Sequence, residues 1–333
     1  MSNFALPLAL LLASDPPPVS DPPVVSDPPS VESSVAPIQI PSPIAPPPVS
    51  LDELAVFAPE PRFVAPTRRD RIGRIWAPVL INGQGPFRLV LDTGASHSAL
   101  TARVAVTLGI AVDEKHSAML RGATGSVRVP MIPIETLEVG DLLMEPRRLP
   151  IVPDALGGAE GILGTDGLVD KRIHIDFRRD SITIMRSRNE KATQGFATIP
   201  IKFLRGRLLV VDAYLGGVPV LAVIDTGGQA TLGNEALRTA LAERRRKQLV
   251  MKPDEVTGAT LDVQTGNRVS TPSLAMGEVL VRNAAMTFAD FAIFEHWKMT
   301  EEPAMLVGMD VLGLLDTLII DYRRRELQVR LRR

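Results

Sequence analysis

The stretch "LVLDTGASHSAL", residues 89–100, places an aspartate at the end of an apolar run and directly before a tight glycine turn. Asp92 follows Leu89, Val90 and Leu91, so its carboxylate is expected to emerge where a buried strand ends. A charge at such a position is costly unless something satisfies or uses it. Whether this acid is a turn residue or part of a functional site depends on whether the pattern occurs once or twice.

The same pattern recurs at Asp225, within "VPVLAVIDTGGQATL", residues 218–232. A proline lies six residues before each acid, and a turn signal precedes each proline: Asn82-Gly83 before Pro86, and Gly216-Gly217 before Pro219. Each aspartate is therefore predicted to follow the second strand of a β-hairpin.

Two further segments repeat downstream. "GILGTDGL" (residues 161–168) is echoed by "MLVGMDVL" (residues 305–312), and "IDFRR" (residues 175–179) by "IDYRR" (residues 320–324). Internal self-similarity of this kind indicates a duplicated structural unit. We predict an N-terminal lobe over residues 67–190 and a C-terminal lobe over residues 191–333, joined near the polar segment 186–195.

Most segments have the length of short strands and are separated by glycine and proline. Two segments predict helices, Ser98–Leu108 and Asn234–Leu249. Ser96, His97 and Ser98 could suggest a nucleophile, but their position before an apolar helical pattern favours a capping role. Asp166 and Asp310, which follow the repeated glycines, are predicted to be structural turn or cap acids.

The composition of the chain argues against several classes of function. Lys and Arg number 37 against 38 Asp and Glu, and aromatic residues make up 4%, so nucleic-acid binding is not expected. The chain has no cysteine, which excludes thiol catalysis and disulfides, and its four histidines are scattered without metal-ligand spacing. We therefore expect neither a cofactor nor a metal.

The N-terminal region has a different composition. Of 29 prolines, 17 lie in the first 66 residues, which predicts a disordered proline-rich linker over residues 15–66. Residues 1–14 contain ten apolar residues, Phe4 to Ala13, too few for an integral membrane span but suited to an export signal. This indicates export to a bacterial periplasm or cell envelope. No basic residue precedes the run and no good cleavage site follows, so a cytoplasmic chain with a frayed tail is the alternative.

Two carboxylates on duplicated units can face each other across a pseudo-twofold axis. Like charges about 3 Å apart cannot both ionise, so such a pair holds one proton. The ionised carboxylate of Asp92 or Asp225 can then accept a proton from a bound water while its partner donates one to the carbonyl under attack. Behind them, the hydroxyls of Thr93 and Thr226 can bond across the axis. Gly94 and Gly227 allow close backbone approach.

These motifs resemble those of aspartic proteases of the pepsin and retropepsin type. The resemblance covers roughly residues 75–330 and implies an all-β, two-lobed acid-protease-like barrel fold with a few short helices, similar to fused two-lobed relatives of the retroviral enzyme among bacterial envelope proteases. It implies that Asp92 and Asp225 are catalytic. It also implies that a hydrophobic-hydrophobic-Gly segment crosses behind each loop, namely Ile162-Leu163-Gly164 and Leu306-Val307-Gly308.

The resemblance also implies glycine-containing β-hairpin flaps, for which residues 120–130 and 256–272 are candidates.

The chain departs from the pepsin pattern in two respects. Neither flap carries the pepsin tyrosine, and Ala95 and Gly228 stand where pepsins have a hydroxyl that bonds the carboxylate. Fewer hydrogen bonds to the charged form leave a carboxyl pKa higher, which predicts an optimum nearer to about pH 5–7 than pH 2–3.

Three functions fit the sequence. The favoured one is an aspartic endopeptidase that acts on polypeptides as a monomer, with both acids in one chain. The second is a catalytically inactive protease-fold protein that binds a peptide or partner, since a fold alone does not establish activity. In the third, each half pairs with its copy in another chain. We rank it last because covalent linkage gives the internal partner a high effective concentration.

Overall fold

The computed structural model describes residues 55–57, 73–74, 76–140, 142–154, 156–205, 208–244 and 250–332. The predicted export signal, residues 1–14, lies outside these ranges, and so does the predicted linker apart from residues 55–57. Those three residues form a strand. No helix in the described ranges is long and apolar enough to cross a bilayer.

The described chain is built mainly from short strands, as an all-β fold requires. In the N-terminal half these are β2 (Trp76–Ile81), β3 (Gln84–Leu91), β4 (Ala99–Thr101), β5 (Asp113–Arg121), β6 (Ser126–Ile134), β7 (Leu137–Val139), β8 (Leu142–Met144), β9 (Arg147–Val152), β10 (Gly161–Leu163), β11 (Lys171–Asp176) and β12 (Ser181–Arg186), preceded by β1 (Ala55–Phe57).

The C-terminal half repeats this organisation. Its strands are β13 (Ala197–Pro200), β14 (Lys202–Leu204), β15 (Leu208–Leu215), β16 (Val218–Ile224), β17 (Leu232–Gly233), β18 (Met251–Thr257), β19 (Val263–Ser270), β20 (Leu274–Met276), β21 (Val279–Arg282), β22 (Ala285–Phe288), β23 (Ala304–Val307), β24 (Leu315–Asp321) and β25 (Glu326–Leu331). The described helices are α1 (Ala102–Thr107), α2 (Glu235–Arg244), α3 (Ala292–His296) and α4 (Met309–Leu312).

Three sheets organise these strands in the described ranges. One belongs to the N-terminal lobe, with strand order β5-β6-β9-β4-β10-β3-β2-β7-β8. A second belongs to the C-terminal lobe, with order β1-β21-β20-β15-β16-β23-β17-β22-β19-β18 and β14 alongside β15. The third, β12-β11-β24-β25-β13, takes strands from both halves. This arrangement confirms the two-lobed all-β fold, while the predicted limits at residues 67–190 and 191–333 stay predictions.

The predicted hairpins form the centre of each lobe. Asn82 and Gly83 join β2 to β3 with φ of 49° and 70°, and Gly216 and Gly217 join β15 to β16 with φ of 58° and 82°. Two consecutive residues in the left-handed region make the tight turn whose twist matches paired strands. Each hairpin therefore delivers its second strand to the aspartate that follows it.

The repeated Ile-Asp segments lie in the shared sheet. β11 pairs antiparallel with β24, so that Ile173 lies opposite Ile320 and Ile175 opposite Leu318. All four side chains are buried and belong to a hydrophobic cluster that runs through both lobes. The two copies of the unit thus share one sheet and one large hydrophobic cluster, while each lobe also has a smaller cluster of its own.

The first predicted helix begins later than the sequence indicates. Residues 99–101 form β4, because Ala99 and Leu100 pair with β10, and α1 begins only at Ala102. Strand pairing therefore overrides the helical periodicity at this point. The prediction for the second helix is correct at its start, where Oδ1 of Asn234 accepts a hydrogen bond from the amide of Leu237 and caps α2. Residues 245–249, in the predicted last part of this helix, lie outside the described ranges.

A buried ion pair fastens the shared sheet. Arg172 on β11 donates to Oδ2 of Asp321 on β24 at 2.9 Å and to Oε1 of Gln328 on β25 at 2.8 Å. The hydroxyl of Ser187 contacts both carboxylate oxygens of Asp321, at 2.9 and 3.0 Å. Asp321 is wholly buried, so its charge depends on these partners.

We predict that Arg172→Met lowers the free energy of unfolding by about 3 kcal/mol or more, because it leaves a buried carboxylate without its cation. Urea denaturation measures the effect. The control is Arg103→Met, which removes an exposed ion pair with Asp154 and should cost less than about 1 kcal/mol. Equal costs for the two variants would contradict this account of the shared sheet.

Candidate active site

Both aspartates stand at the end of a buried strand, against a second strand that runs parallel to it. β10 lies beside β3, and β23 lies beside β16 in the same way. The amide of Asp92 donates to the carbonyl of Leu163 at 2.9 Å, and the amide of Asp225 donates to that of Val307 at 3.0 Å. The predicted crossing segments therefore fix the position of the backbone from which each carboxyl projects.

The glycines that end the crossing segments are held by hydroxyls. The amide of Gly164 donates to Oγ of Ser98, and that of Gly308 to Oγ1 of Thr231, both at 3.1 Å. A side chain on either glycine would collide with the backbone at His97 or Ala230. The segments can cross behind the aspartate loops because no side chain intervenes.

Two half-buried acids hold the residues whose hydroxyls bond these glycines. Asp166 accepts from the amide and hydroxyl of Ser98, and Asp310 accepts from the amide and hydroxyl of Thr231. Both acids therefore have the structural role that the sequence predicts. The prediction that Ser98 caps a helix is wrong, because its hydroxyl is used in this crossing, four residues before α1.

Two threonine hydroxyls join the aspartate loops of the two lobes. The amide of Thr93 donates to Oγ1 of Thr226 at 3.2 Å, and the amide of Thr226 donates to Oγ1 of Thr93 at 3.1 Å. Each hydroxyl then donates across the lobe boundary at 2.6 Å, Thr93 to the carbonyl of Ile224 and Thr226 to that of Leu91. These four hydrogen bonds, which we call the threonine bridge, set the separation of the two loops.

The threonine bridge brings the two carboxyls together. The carboxyl of each acid lies against the glycine of the opposite loop. A Cβ atom at Gly94 would lie 2.9 Å from Cγ of Asp225, and one at Gly227 would overlap the carboxyl of Asp92. Glycine is therefore required on each loop because the opposite acid occupies the space of a side chain.

Backbone amides orient each carboxyl. Oδ1 of Asp92 accepts from the amides of Gly94 and Ala95, at 2.9 and 3.0 Å. In the second loop the corresponding donors to Oδ1 of Asp225 are the amides of Gly227 and Gly228, at the same two distances. One oxygen of each carboxyl is thus held by two main-chain amides, one of them at the position where the sequence lacks a hydroxyl.

Burial raises the pKa of Asp92, while the hydrogen bond from Asp225, the amides of Gly94 and Ala95 and the charge of Arg74 act in the opposite direction. For Asp225, burial comes first, followed by the negative charge of Asp92 and the hydrogen bond between the two side chains, and together they raise its pKa well above the usual 3.8. Because two adjacent buried carboxyls cannot both carry a charge, the pair is expected to hold one proton.

Two β-hairpins project from the lobes where the flaps are expected. β5 and β6 turn at residues 122–125, and β18 and β19 turn at residues 258–262. Their tips touch, since Oγ1 of Thr124 donates to the carbonyl of Asp262 at 2.7 Å. The first tip also contacts the opposite lobe, where the carbonyl of Ala123 accepts from the amide of Ile293 at 3.3 Å. Each lobe thus supplies one hairpin, and the hairpins close on each other.

One residue of this site was not predicted. Arg74 lies just before β2 with 8% of its surface exposed, and its guanidinium reaches the carbonyl of Gly227 in the opposite loop. A signal was present in the sequence, because Gly73-Arg74 stands 18 residues before Asp92 just as Gly206-Arg207 stands 18 residues before Asp225. A single arginine in a polar segment carries little information without that repeat.

Other candidates do not assemble into a site. Ser96 contacts Nδ1 of His97 at 3.0 Å in an exposed position. In the part of the chain that the structure describes, no three potential metal ligands converge. The two aspartates, by contrast, lie in loops that the threonine bridge holds together across the lobes.

Comparison with known families supports this geometry. A family model described as aspartyl protease matches residues 77–166 and 211–311, together more than half of the chain. The two matched segments contain one aspartate loop and one crossing segment each. No curated protein matches the chain at a significant level.

The threonine bridge predicts a sharp difference between two substitutions of Thr226. Thr226→Val removes the hydroxyl and leaves the buried amide of Thr93 and the carbonyl of Leu91 without partners, which should cost about 2–4 kcal/mol of unfolding free energy. Thr226→Ser keeps the hydroxyl and should cost less than about 1 kcal/mol. Chemical denaturation measures both.

Thr107→Val is the matched control, since the hydroxyl of Thr107 bonds within exposed α1. A Thr226→Val variant as stable as this control would contradict the bridge.

The raised pKa of Asp225 predicts a pH-dependent gain in stability for Asp225→Asn. An acid whose pKa is higher in the folded protein stabilises the fold below its unfolded-state pKa, and that contribution is lost as pH rises through the folded-state value. Asparagine removes this penalty. We therefore expect the Tm of Asp225→Asn to exceed that of the unsubstituted protein near neutral pH, with the difference shrinking on acidification.

Asp212→Asn, an exposed substitution on β15, is the control and should leave the Tm unchanged at each pH. A gain for Asp225→Asn that stays constant over the pH range would show that burial does not perturb this acid.

Proposed function

Because the chain belongs to the aspartyl protease family, we propose that it is an aspartic endopeptidase that hydrolyses peptide bonds with Asp92 and Asp225. The observation that carries the proposal is that the threonine bridge holds the two aspartate loops together, with each carboxyl against the glycine of the opposite loop. Two adjacent carboxyls that hold one proton contain one base and one acid within reach of the same water.

The chemistry that we propose uses both protonation states. A water bound between the carboxyls attacks the peptide carbonyl carbon while Asp92 accepts a proton from it and Asp225 donates its proton to the carbonyl oxygen. The product of this step is a tetrahedral diol. Asp92 then transfers its proton to the amide nitrogen while Asp225 accepts one from a diol hydroxyl, so that the C–N bond breaks, a carboxylic acid and an amine form, and the pair again holds one proton.

The surroundings suit a polypeptide substrate. The touching flap tips, residues 122–125 and 258–262, would have to part for a chain to enter, and their glycines permit such movement. Once closed, the flaps would exclude water other than the one held by the acids and so strengthen the electrostatic interactions at the reacting bond. Both acids come from one chain, so we propose that a monomer is sufficient.

The central test is cleavage of an unstructured substrate such as casein by the purified protein, with and without pepstatin. Asp92→Asn and Asp225→Asn should each reduce kcat by about three orders of magnitude or more, since each removes one half of the acid–base pair. The matched control Asp212→Asn makes the same chemical change at an exposed site and should retain full activity. Loss in only one of the two variants would contradict a shared pair.

If the protein binds the peptide without cleaving it at any pH between about 3 and 8, the catalytically inactive alternative replaces this proposal.

The pH dependence of kcat/KM is predicted to be bell-shaped with a maximum at about pH 5–7. Burial raises the pKa of both acids, and at Ala95 and Gly228 backbone amides replace the hydroxyl donors that would stabilise the charged form further. Initial rates on a fluorogenic peptide measure the profile. A maximum near pH 2 would contradict the electrostatic account.

A further inference from the structure

Arg74 connects the two lobes directly beneath the pair of acids. Its Nη2 donates to the carbonyl of Leu156 in the N-terminal lobe at 3.0 Å, and its Nη1 lies 3.4 Å from the carbonyl of Gly227 in the C-terminal loop. A buried guanidinium is costly to desolvate, so its presence requires partners that repay this cost. The two carbonyls use its planar fork, which can donate in two directions at once.

Gly227 is the residue through which this contact reaches both acids. Its amide donates to Oδ1 of Asp225 at 2.9 Å, and its Cα faces the carboxyl of Asp92 so closely that a Cβ would overlap it. The carbonyl that Arg74 contacts belongs to the peptide between residues 227 and 228, whose amide, that of Gly228, also donates to Oδ1 of Asp225, at 3.0 Å. A displacement of this residue would therefore weaken the hydrogen bonds to one acid and change the space available to the other.

The guanidinium also acts on the pair through its charge. The positive charge of Arg74 lowers the pKa of Asp92. The two copies of the loop have nearly the same hydrogen bonds, so the bonds alone do not distinguish the acids. A cation that acts on Asp92 makes the two unequal.

We propose that Arg74 is a positioning residue of the acid pair, which fixes the carbonyl of Gly227 against the N-terminal lobe and places a positive charge near Asp92. Its effect on peptide hydrolysis rests on the proposed function, whereas its effect on the titration of the two acids does not. Arg74 itself does not contact substrate or exchange protons in this account.

Two substitutions of Arg74 separate the effect of its charge from the effect of its hydrogen bonds. Arg74→Gln removes the charge and should lower kcat/KM about 10–100-fold and move the acid limb of the pH profile upward by about one pH unit. Arg74→Lys keeps the charge but cannot reach both carbonyls, so the limb should stay within about half a unit of that of the unsubstituted protein while kcat/KM remains reduced.

The control is Arg88→Gln, which removes an exposed arginine that stacks on Trp76 in the same lobe, and it should move neither quantity.

A titration that needs no substrate distinguishes this inference from the proposed function. NMR of protein labelled at the aspartate 13Cγ atoms follows the two acids directly, with Asp92→Asn and Asp225→Asn to assign their signals. We expect the lower midpoint of the pair to rise in Arg74→Gln and to change little in Arg74→Lys. If the protein cleaves nothing, the endopeptidase proposal fails while this titration still decides the role of Arg74.

Unchanged midpoints in Arg74→Gln, with any loss of activity matched by loss of folded protein, would reduce Arg74 to a structural residue and overturn the inference. If Arg74→Gln does not fold, Arg74→Lys decides the positioning role alone. An Arg74→Lys variant with the full kcat/KM would show that the contact with Gly227 is dispensable.

Discussion

Two buried threonine hydroxyls hold together the halves of a duplicated chain. Each hydroxyl of the threonine bridge, Thr93 and Thr226, accepts from the amide of the other and donates to a carbonyl of the opposite strand. Hydrogen bonds of this kind contribute little net stability each, but their loss would leave buried backbone groups without partners. The bridge therefore acts mainly by making other arrangements of the loops costly. The contact between the two acids depends on it, because the bridge sets the distance between the strands that carry them.

A symmetric duplication nevertheless produces an asymmetric pair. The amides and crossing segments are matched in the two lobes, so the local hydrogen bonding at Asp92 and Asp225 is closely similar. Burial raises the pKa of both, and two adjacent buried carboxyls cannot both carry a charge. The charge of Arg74, which lowers the pKa of Asp92, distinguishes the two. General acid and general base chemistry at one water requires that inequality.

The sequence predicts the parts of this site that are encoded locally. The hairpin turns, the apolar strands and the aspartate after each strand follow from turn residues and short-range patterns, and the repeat shows that both copies belong together. Contacts between distant segments were harder to predict. Residues 99–101 have a helical pattern but form a strand, because a partner strand about 60 residues away competes with the local preference. The pairing of β11 with β24, the contact between the flap tips and the position of Arg74 likewise depend on tertiary structure.

The central claim is that Asp92 and Asp225 of one chain share one proton. Neutron diffraction from a deuterium-exchanged crystal near neutral pH would measure this most directly. The account predicts carboxyl oxygens within hydrogen-bond distance of each other and a single deuteron between them. Two fully ionised carboxylates turned toward separate waters, or a pair formed between the acids of two different chains, would contradict it.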